Sequence, residues 1–200
     1  MCGMIIFRFL QIFFLVIFLF LSVYLPAAMH PVFNRVFVTV GTTKFEKLIS
    51  SVDNFEFLDF LHNQYGTTSI TFQIGSGSYE PSALHPKVTL SFFRLKASLF
   101  CDISKADLVI SHCGAGTVLD TLRCRKPLVV VVNNSLMNNH QEELAGAMEK
   151  YCVVIYRLEE GSIAEALADT SVWSKLEIFP SPDDGMEKLR NYIYEELGLL

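Results

Sequence analysis

Apolar strands and amphipathic helices alternate along the chain from about residue 33. The first strand pattern, Val36–Val40, is β-branched and stops at Gly41, and apolar residues then recur at helical spacing over Phe45–Val52. Further strand patterns follow at Ser69–Ile74, Val88–Phe92, Asp107–Ser111, Leu128–Val132 and Cys152–Tyr156. Helical patterns follow at Glu56–Tyr65, Lys96–Lys105, from the turn after Ser111 to Cys124, over Gln141–Met148, and after caps at Ser162 and Ser181.

This alternation predicts an α/β fold, with one Rossmann-like parallel sheet, right-handed crossovers and helices on its flanks. Leu128–Val132 is apolar throughout, as in a strand that is covered on both faces. We find no repeat, low-complexity tract or linker, and therefore expect one domain over residues 33–200. The loops that follow the strands should open at one edge of the sheet, where doubly wound folds bind ligands.

Residues 1–30 are a hydrophobic segment ahead of this domain. Phe9–Leu25 carries no charged residue and lies near the lower length limit for a membrane-spanning helix. The pattern predicts an N-terminal hydrophobic helix, for which three interpretations stay open. It is a signal anchor, a cleaved signal peptide with Ala27 and Ala28 near its end, or a stretch upstream of a true start at Met29.

Composition narrows the classes of function. The formal net charge is −5, and no cluster of Lys and Arg is interleaved with aromatic residues, which argues against nucleic acid as a partner. The five cysteines are odd in number and include no C-x-x-C pair, which argues against a zinc site or a disulfide framework. We therefore expect thiols in a reducing compartment and no bound metal.

Two glycine turns follow the first two predicted strands. Gly41-Thr42-Thr43 precedes a helix, where main-chain N–H groups and the helix dipole favour an anion and a threonine hydroxyl adds a donor. The alternative is a tight turn at Gly41 with a threonine as helix cap. Gly75-Ser76-Gly77 is a weaker signal, because glycine turns after strands are common, and it gains weight from its place at the same edge.

The strongest local signal is the turn after the fourth predicted strand. It reads Ser111-His112-Cys113-Gly114-Ala115-Gly116-Thr117, and its glycines let a ligand approach the backbone closely. Thr117 and the N–H groups of the first helical turn suit a diphosphate, and Asp120, one turn further along, suits the two hydroxyls of a ribose. The alternative is a structural turn beside a core histidine.

Polar residues open another helix at the same edge, after the fifth predicted strand. Asn138, Asn139, His140 and Gln141 carry neutral donors and acceptors that suit sugar hydroxyls. The alternative is that Asn138 or Asn139 caps the helix while the others face solvent. Together the four loops predict a site for a nucleotide sugar, and the lack of a G-x-G-x-x-G fingerprint disfavours a NAD-dependent oxidoreductase.

These motifs resemble a known family. His112–Thr117, with an acid at Asp120 and a proline at Pro127, resembles the nucleotide-binding signature of GT-B glycosyltransferases. The ordered stretches VFVTVGTTKFEKLI, FQIGSG, KADLVISHCGAGT and KPLVVVVNNSLMNNHQEELA resemble more closely the catalytic subunits of the UDP-N-acetylglucosamine:dolichyl-diphospho-N-acetylglucosamine β-1,4-N-acetylglucosaminyltransferase. The resemblance runs from about Val36 to the C-terminus, and it extends more distantly to the donor half of the bacterial lipid II-forming N-acetylglucosaminyltransferase.

The resemblance implies an inverting hexosyltransferase that uses UDP-N-acetylglucosamine (UDP-GlcNAc) and requires no metal. It would transfer GlcNAc in β-1,4 linkage to GlcNAc-diphosphodolichol, the second step of lipid-linked oligosaccharide synthesis for protein N-glycosylation. Asp120 stands where the family carries a longer glutamate. Matching positions imply donor-binding roles for Gly41, Thr42, Thr43, Gly114, Ala115, Gly116, Thr117, Asp120, Asn139, His140 and Gln141.

The resemblance also implies a partner subunit. This chain corresponds to the donor half alone, so a membrane-anchored, acceptor-binding subunit would complete the enzyme, and we expect the chain alone to be inactive. The amphipathic helix 183–197 would dock that subunit, unless it folds onto its own sheet. The general base should approach from the acceptor side. Within this chain, His112 and His140 are the only local candidates.

The expected location is the endoplasmic reticulum membrane, with the catalytic domain on the cytosolic face, where UDP-sugars are available. Two other functions stay open. The chain could belong to a GT-B transferase for another UDP-sugar, such as a glycolipid synthase, or be a non-catalytic nucleotide-sugar-binding or scaffold subunit.

Overall fold

The computed structural model describes residues 31–133, 140–156, 158 and 162–180. The hydrophobic segment 1–30, the residues Asn138 and Asn139 and the predicted helix 183–197 lie outside this part of the chain. Among the residues that are described, no helix combines the length and apolar character that a membrane crossing requires.

Six strands form one sheet in the order β3-β2-β1-β4-β5-β6, and every neighbouring pair is parallel. This confirms the predicted parallel α/β sheet. The chain builds outward from β1 to β3 and then returns to place β4 beside β1, so the order reverses between these two central strands. The strands are β1 (Arg35–Thr39), β2 (Ser69–Gln73), β3 (Thr89–Phe93), β4 (Leu108–His112), β5 (Leu128–Val131) and β6 (Val153–Ile155).

The described residues also form seven helices. One of them ends at Gly66, with φ 72°, and another begins with a capping box between Ser162 and Glu165, both as predicted. The last and shortest helix had no clear sequence signal. The helices are α1 (Glu46–Val52), α2 (Phe55–Tyr65), α3 (Phe100–Lys105), α4 (Ala115–Arg123), α5 (His140–Met148), α6 (Ile163–Ala168) and α7 (Val172–Lys175).

Two apolar clusters cover the two faces of the sheet. Successive side chains of a strand point to opposite faces, so Val36 and Val38 lie in one cluster and Phe37 in the other. The first cluster includes residues of α1, α2 and α6, and the second includes residues of α3, α4 and α5. The result is a sheet between two helical layers, with its carboxyl edge left to the loops.

One predicted helix begins later than expected. The periodicity predicted a helix from Lys96, but α3 begins only at Phe100. The Lys96 ammonium instead donates to Asp102 Oδ1 at 2.7 Å and lies 3.8 Å from the centre of the Phe93 ring. Ser98 Oγ accepts a hydrogen bond from the Phe100 N–H at 3.2 Å. Residues 96–99 are therefore a loop at the carboxyl edge, and the prediction was wrong there.

Candidate functional site

The loops after β1 and β4 meet at a cavity of about 450 Å³. The parallel register sets Thr39 opposite both Gln73 and Ser111, so the carboxyl ends of β1, β2 and β4 lie level with one another. Loops that leave three level strands start from one rim, which is the arrangement that the sequence predicted. The cavity is lined by Gly41, Thr42, Gln73, Leu95, Lys96, Ala97, Ser98, Leu99, Ile103, His112, Gly114, Ala115, Gly116, Thr117 and Asp120.

His112 packs between the two glycine turns. It is the last residue of β4 and is only 8% exposed. A Cβ atom at Gly114 would lie 2.3 Å from His112 Nε2, and one at Gly41 would lie 2.9 Å from His112 Cε1. Gly41 also has φ +62°, which favours glycine over other residues. Both glycines are therefore required for the imidazole to fit between the turns.

Burial keeps this imidazole neutral. Desolvation lowers the pKa of His112 below its ordinary value, and the Thr39 carbonyl opposes this only in part. His112 Nδ1 is buried and has no hydrogen-bond partner within the described part of the chain. The ring is enclosed between two turns, and its lowered pKa makes it a weaker base, so the geometry does not favour His112 as general base.

The N-terminus of α4 opens into the cavity. Its cap, Gly114, has no side chain and leaves the first-turn N–H groups without a side-chain acceptor. A Cβ atom at Gly116 would meet nothing within 4 Å, so the space beside it is open. Thr117 and Asp120 line the same cavity one turn apart on the helix. The helix thus presents N–H groups, a hydroxyl and a carboxylate in order, which suits a diphosphate joined to a ribose.

Cys113 does not face this cavity. Its side chain belongs to the apolar cluster with α4 and α5, and burial raises its pKa to about 11. The thiol is therefore neutral at physiological pH and contributes packing below the turn.

The loop after β2 packs against the loop after β1. Gly75 has φ +60°, and a Cβ atom there would lie 2.2 Å from the Thr43 carbonyl oxygen. The Ser76 N–H donates to that same carbonyl oxygen at 3.3 Å. Thr43, Gly75, Ser76 and Gly77 are not among the lining residues. Their donor contacts stay predictions, and the glycine has a packing role that the sequence did not reveal.

Sequence reasoning missed one wall of the cavity. The loop Leu95–Leu99 and Ile103 also line it, with apolar side chains at Leu95, Ala97, Leu99 and Ile103. The helical spacing of the apolar residues predicted a helix here instead of a loop. Ser98, two residues before Phe100, was the one sign of a later helix start. Gln73 was also missed, and its one signal was a polar residue at the end of a buried strand.

The predicted sugar-contacting stretch is described only in part. Asn139 lies outside the described residues, whereas His140 and Gln141 begin α5, after the strand that neighbours β4. The backbone therefore starts this helix at the carboxyl side of the sheet, and the sugar contacts of the three residues stay predictions. No group of three or more metal-ligating side chains occurs in the described ranges.

Comparisons with known proteins show the family of the chain. Residues 35–175 match the glycosyltransferase family 28 C-terminal domain. The UDP-N-acetylglucosamine transferase subunit ALG13 of Homo sapiens is 50% identical over 116 residues, which are 58% of this chain and 10% of the human protein. The chain thus spans only a small part of that relative's length.

Two further relatives match over most of their length. The subunit of the same name from Yarrowia lipolytica is 34% identical over 167 residues, which cover 81% of this chain and 83% of that protein. An NMR solution structure of ALG13 matches with a TM-score of 0.52 and 28% identity, over 82% of this chain and 94% of that chain.

Proposed function

Since the chain belongs to the family of glycosyltransferase family 28 C-terminal domains, we propose that it is the donor-binding subunit of a UDP-GlcNAc transferase. The observation that carries the proposal is the cavity where Gly41-Thr42 and His112–Asp120 meet at the reversal of strand order. Ligands of open α/β sheets bind at this place. The relatives named as UDP-N-acetylglucosamine transferase subunits supply the donor.

In this proposal each part of the donor has its own contacts. The diphosphate would lie against the first turn of α4 and the Gly41-Thr42 turn, where N–H groups and a hydroxyl converge. Asp120 would accept hydrogen bonds from the ribose hydroxyls. The apolar loop Leu95–Leu99 would hold the uracil ring. Asn139, His140 and Gln141 would contact the sugar.

The chemistry is a single inverting displacement. The acceptor 4-hydroxyl oxygen attacks C1 of GlcNAc while the bond from C1 to the UDP oxygen breaks. A base on the acceptor side takes the hydroxyl proton. Negative charge develops on the departing UDP, and the fixed N–H groups at the start of α4 stabilise it without a metal ion.

The relatives' description as a subunit supports a two-part enzyme. In this proposal a membrane-anchored subunit binds GlcNAc-diphosphodolichol, supplies the base and docks through the predicted helix 183–197. The enzyme acts at the endoplasmic reticulum membrane with this domain on the cytosolic side. GlcNAc then joins the acceptor in β-1,4 linkage for protein N-glycosylation.

A binding experiment tests the donor site. Titration calorimetry with UDP-GlcNAc should give saturable binding to the full chain, and Gly116→Trp should abolish it. The reason is that a side chain at position 116 meets no protein atom within 4 Å of its Cβ and extends into the cavity. Gly116→Ala is the control for helix effects, and both variants should keep the wild-type circular dichroism spectrum. Unchanged binding by Gly116→Trp would reject the donor site.

An activity experiment tests the partnership. The chain alone should transfer no GlcNAc from UDP-GlcNAc to GlcNAc-diphosphodolichol, whereas membranes with the co-expressed partner subunit should do so. A panel of UDP-sugars in the same assay separates this function from another UDP-sugar transferase. If the complex with Gly116→Trp kept full activity, the chain would be a scaffold and its catalytic role would be wrong.

A further inference from the structure

The Gln73 side chain forms hydrogen bonds to the starts of two loops that line the cavity. We propose that it is a positioning residue that holds the Gly41-Thr42 turn and the Leu95–Leu99 loop at the separation that UDP-GlcNAc requires. The inference rests on the proposed function and assigns a role to Gln73, a residue of the FQIGSG stretch for which the sequence alone predicted none.

The side chain of Gln73 uses all of its main hydrogen-bonding groups. Its Nε2 donates to the Gly41 carbonyl oxygen at 2.6 Å and to the Arg94 carbonyl oxygen at 2.6 Å. Its Oε1 accepts from the Thr39 hydroxyl at 2.6 Å. The Gly41 N–H in turn donates to Thr39 Oγ1 at 3.2 Å. One amide thus connects the ends of β1, β2 and β3.

Burial makes these bonds decisive for the position of the loops. Gln73 is 1% exposed and Thr39 is fully buried, so the loss of a partner leaves a buried polar group that is costly to satisfy. The Gly41 and Arg94 carbonyl oxygens both point at one amide group, and without its hydrogens they would repel each other. The loops that follow these carbonyls carry Thr42 on one side and Leu95 on the other, and both line the cavity.

This role differs from helix or strand pairing. The main-chain ladder already joins β1 to β2 and β2 to β3, up to the pairs Thr39–Gln73 and Gln73–Phe93. The Gln73 amide acts one step beyond the ladder, on the Gly41 carbonyl oxygen and on the Arg94 carbonyl oxygen, which also accepts from the Gly75 N–H at 3.2 Å. Its loss should therefore move the loops while leaving the sheet intact.

The Gln73→Glu variant tests this role through the pH dependence of UDP-GlcNAc binding. The new carboxyl would face two carbonyl oxygens in a buried place, which raises its pKa. When protonated it donates one hydrogen bond and still accepts from Thr39, and when ionised it donates none. We expect the dissociation constant for UDP-GlcNAc, measured by calorimetry on the full chain, to rise about ten-fold or more relative to wild type at pH 8. The rise should be smaller at pH 5.5.

Other charged groups lie near this network. Lys96, His112 and Asp120 line the cavity, while the Arg94 guanidinium donates to Glu80 and to the Gly77 carbonyl oxygen. Wild type and variant both carry these groups and bind the same donor. The ratio of the two dissociation constants at each pH therefore isolates the substituted carboxyl.

Three further variants control the experiment. Thr39→Val removes the hydroxyl that orients Gln73 and should also weaken binding, whereas Thr39→Ser keeps the hydroxyl and should restore it. Thr71→Val removes an exposed hydrogen bond, 3.0 Å long, between Thr71 of β2 and Ser91 of β3. It should leave the dissociation constant within two-fold of wild type, which shows that weakened β2–β3 pairing is not the cause.

The outcomes separate this inference from the proposed function. Folded Gln73→Glu protein with wild-type affinity at both pH values overturns the positioning role alone. If Gln73→Glu does not fold, equal affinities of Thr39→Val and Thr39→Ser overturn the role, and a difference between them supports it. Wild-type protein that binds no UDP-GlcNAc rejects the proposed function and this inference with it.

Discussion

His112 shows how single residues determine the shape of the site. Its imidazole fills the space that the missing side chains of Gly41 and Gly114 leave between two turns. The turns can therefore approach each other only with this ring between them, and the ring can fit only between glycines. The sequence marked the three residues as binding residues, and the structure shows that they also pack on one another.

Substitution of the turn glycines should separate packing from ligand access. Gly114→Ala places a Cβ atom 2.3 Å from His112 Nε2, so it should displace the ring and weaken UDP binding at least ten-fold. Gly116→Ala meets no protein atom within 4 Å and stands in a helix, so it should raise the free energy of unfolding by up to about 1 kcal/mol. Urea denaturation and calorimetry measure the two effects, and equal behaviour of both variants would contradict the packing role.

The neutral state of His112 makes stability depend on pH. Its folded pKa lies below the ordinary 6.5 because of burial, so the unfolded chain takes up the proton first as pH falls. The free energy of unfolding should therefore decline below about pH 6.5, and the contribution is fully present above it. His112→Asn should make the decline between pH 7 and pH 5 shallower in urea denaturation. An equal slope in both proteins would show that His112 is not the cause.

At the scale of elements, the loop between β2 and β3 is held by α1. Glu46, at the start of α1, accepts hydrogen bonds from Ser78 Oγ at 2.7 Å, from the Ser78 N–H at 2.6 Å and from the Tyr79 N–H at 3.1 Å. These bonds, led by the Ser78 hydroxyl, lower the pKa of Glu46 to about 2. The same helix follows the Gly41–Thr43 turn, so the anchor couples two neighbouring loops at the carboxyl edge.

Loss of this anchor should loosen the loop. Glu46→Gln replaces a charged acceptor by a weaker neutral one, so the amide resonances of Ser78 and Tyr79 should move toward random-coil values in NMR spectra. In wild type the anchor is fully present above about pH 4.5 and should be lost as pH falls toward about 2, because the lowered pKa favours the ionised form in the folded state. Glu56→Gln, on the exposed face of α2, is the control and should not shift these resonances.

At the scale of the whole molecule, residues from Val32 onward are one compact unit, and the cavity lies where its strand order reverses. The described sheet and both helical layers hold the loops after β1 and β4 at that edge, where they line the cavity. In the proposed enzyme this domain would bind the donor, and a second subunit would bring the acceptor.

Donor binding should stabilise the whole fold. A ligand that binds only the folded state adds about 2.7 kcal/mol at a concentration one hundred times its dissociation constant. UDP should therefore raise the unfolding temperature in differential scanning fluorimetry, and ADP should raise it less, because in the proposed site the uracil ring packs against the loop Leu95–Leu99. Gly116→Trp should show no shift with UDP. An equal shift with ADP would contradict selection of uracil by that loop.

Much of the architecture followed from the sequence. Alternating patterns predicted all six strands, their parallel direction and most helices, because the spacing of apolar residues records which faces are buried. The caps at Gly66 and Ser162 were readable because they depend on local backbone chemistry. The glycine turns after β1 and β4 were readable for the same reason.

Only the tertiary structure decided which loops line the cavity. Lys96–Leu99 has helical spacing, yet contacts of Lys96 with Asp102 and the Phe93 ring keep it a loop. Gly75 was predicted as a binding residue from its glycine turn alone. Its packing against the Thr43 carbonyl oxygen depends on how two strands align. Gln73 bonds with residues 32 and 21 positions away. Local spacing specifies elements and turns, whereas contacts between distant residues arise only when the sheet assembles and brings the strand ends together.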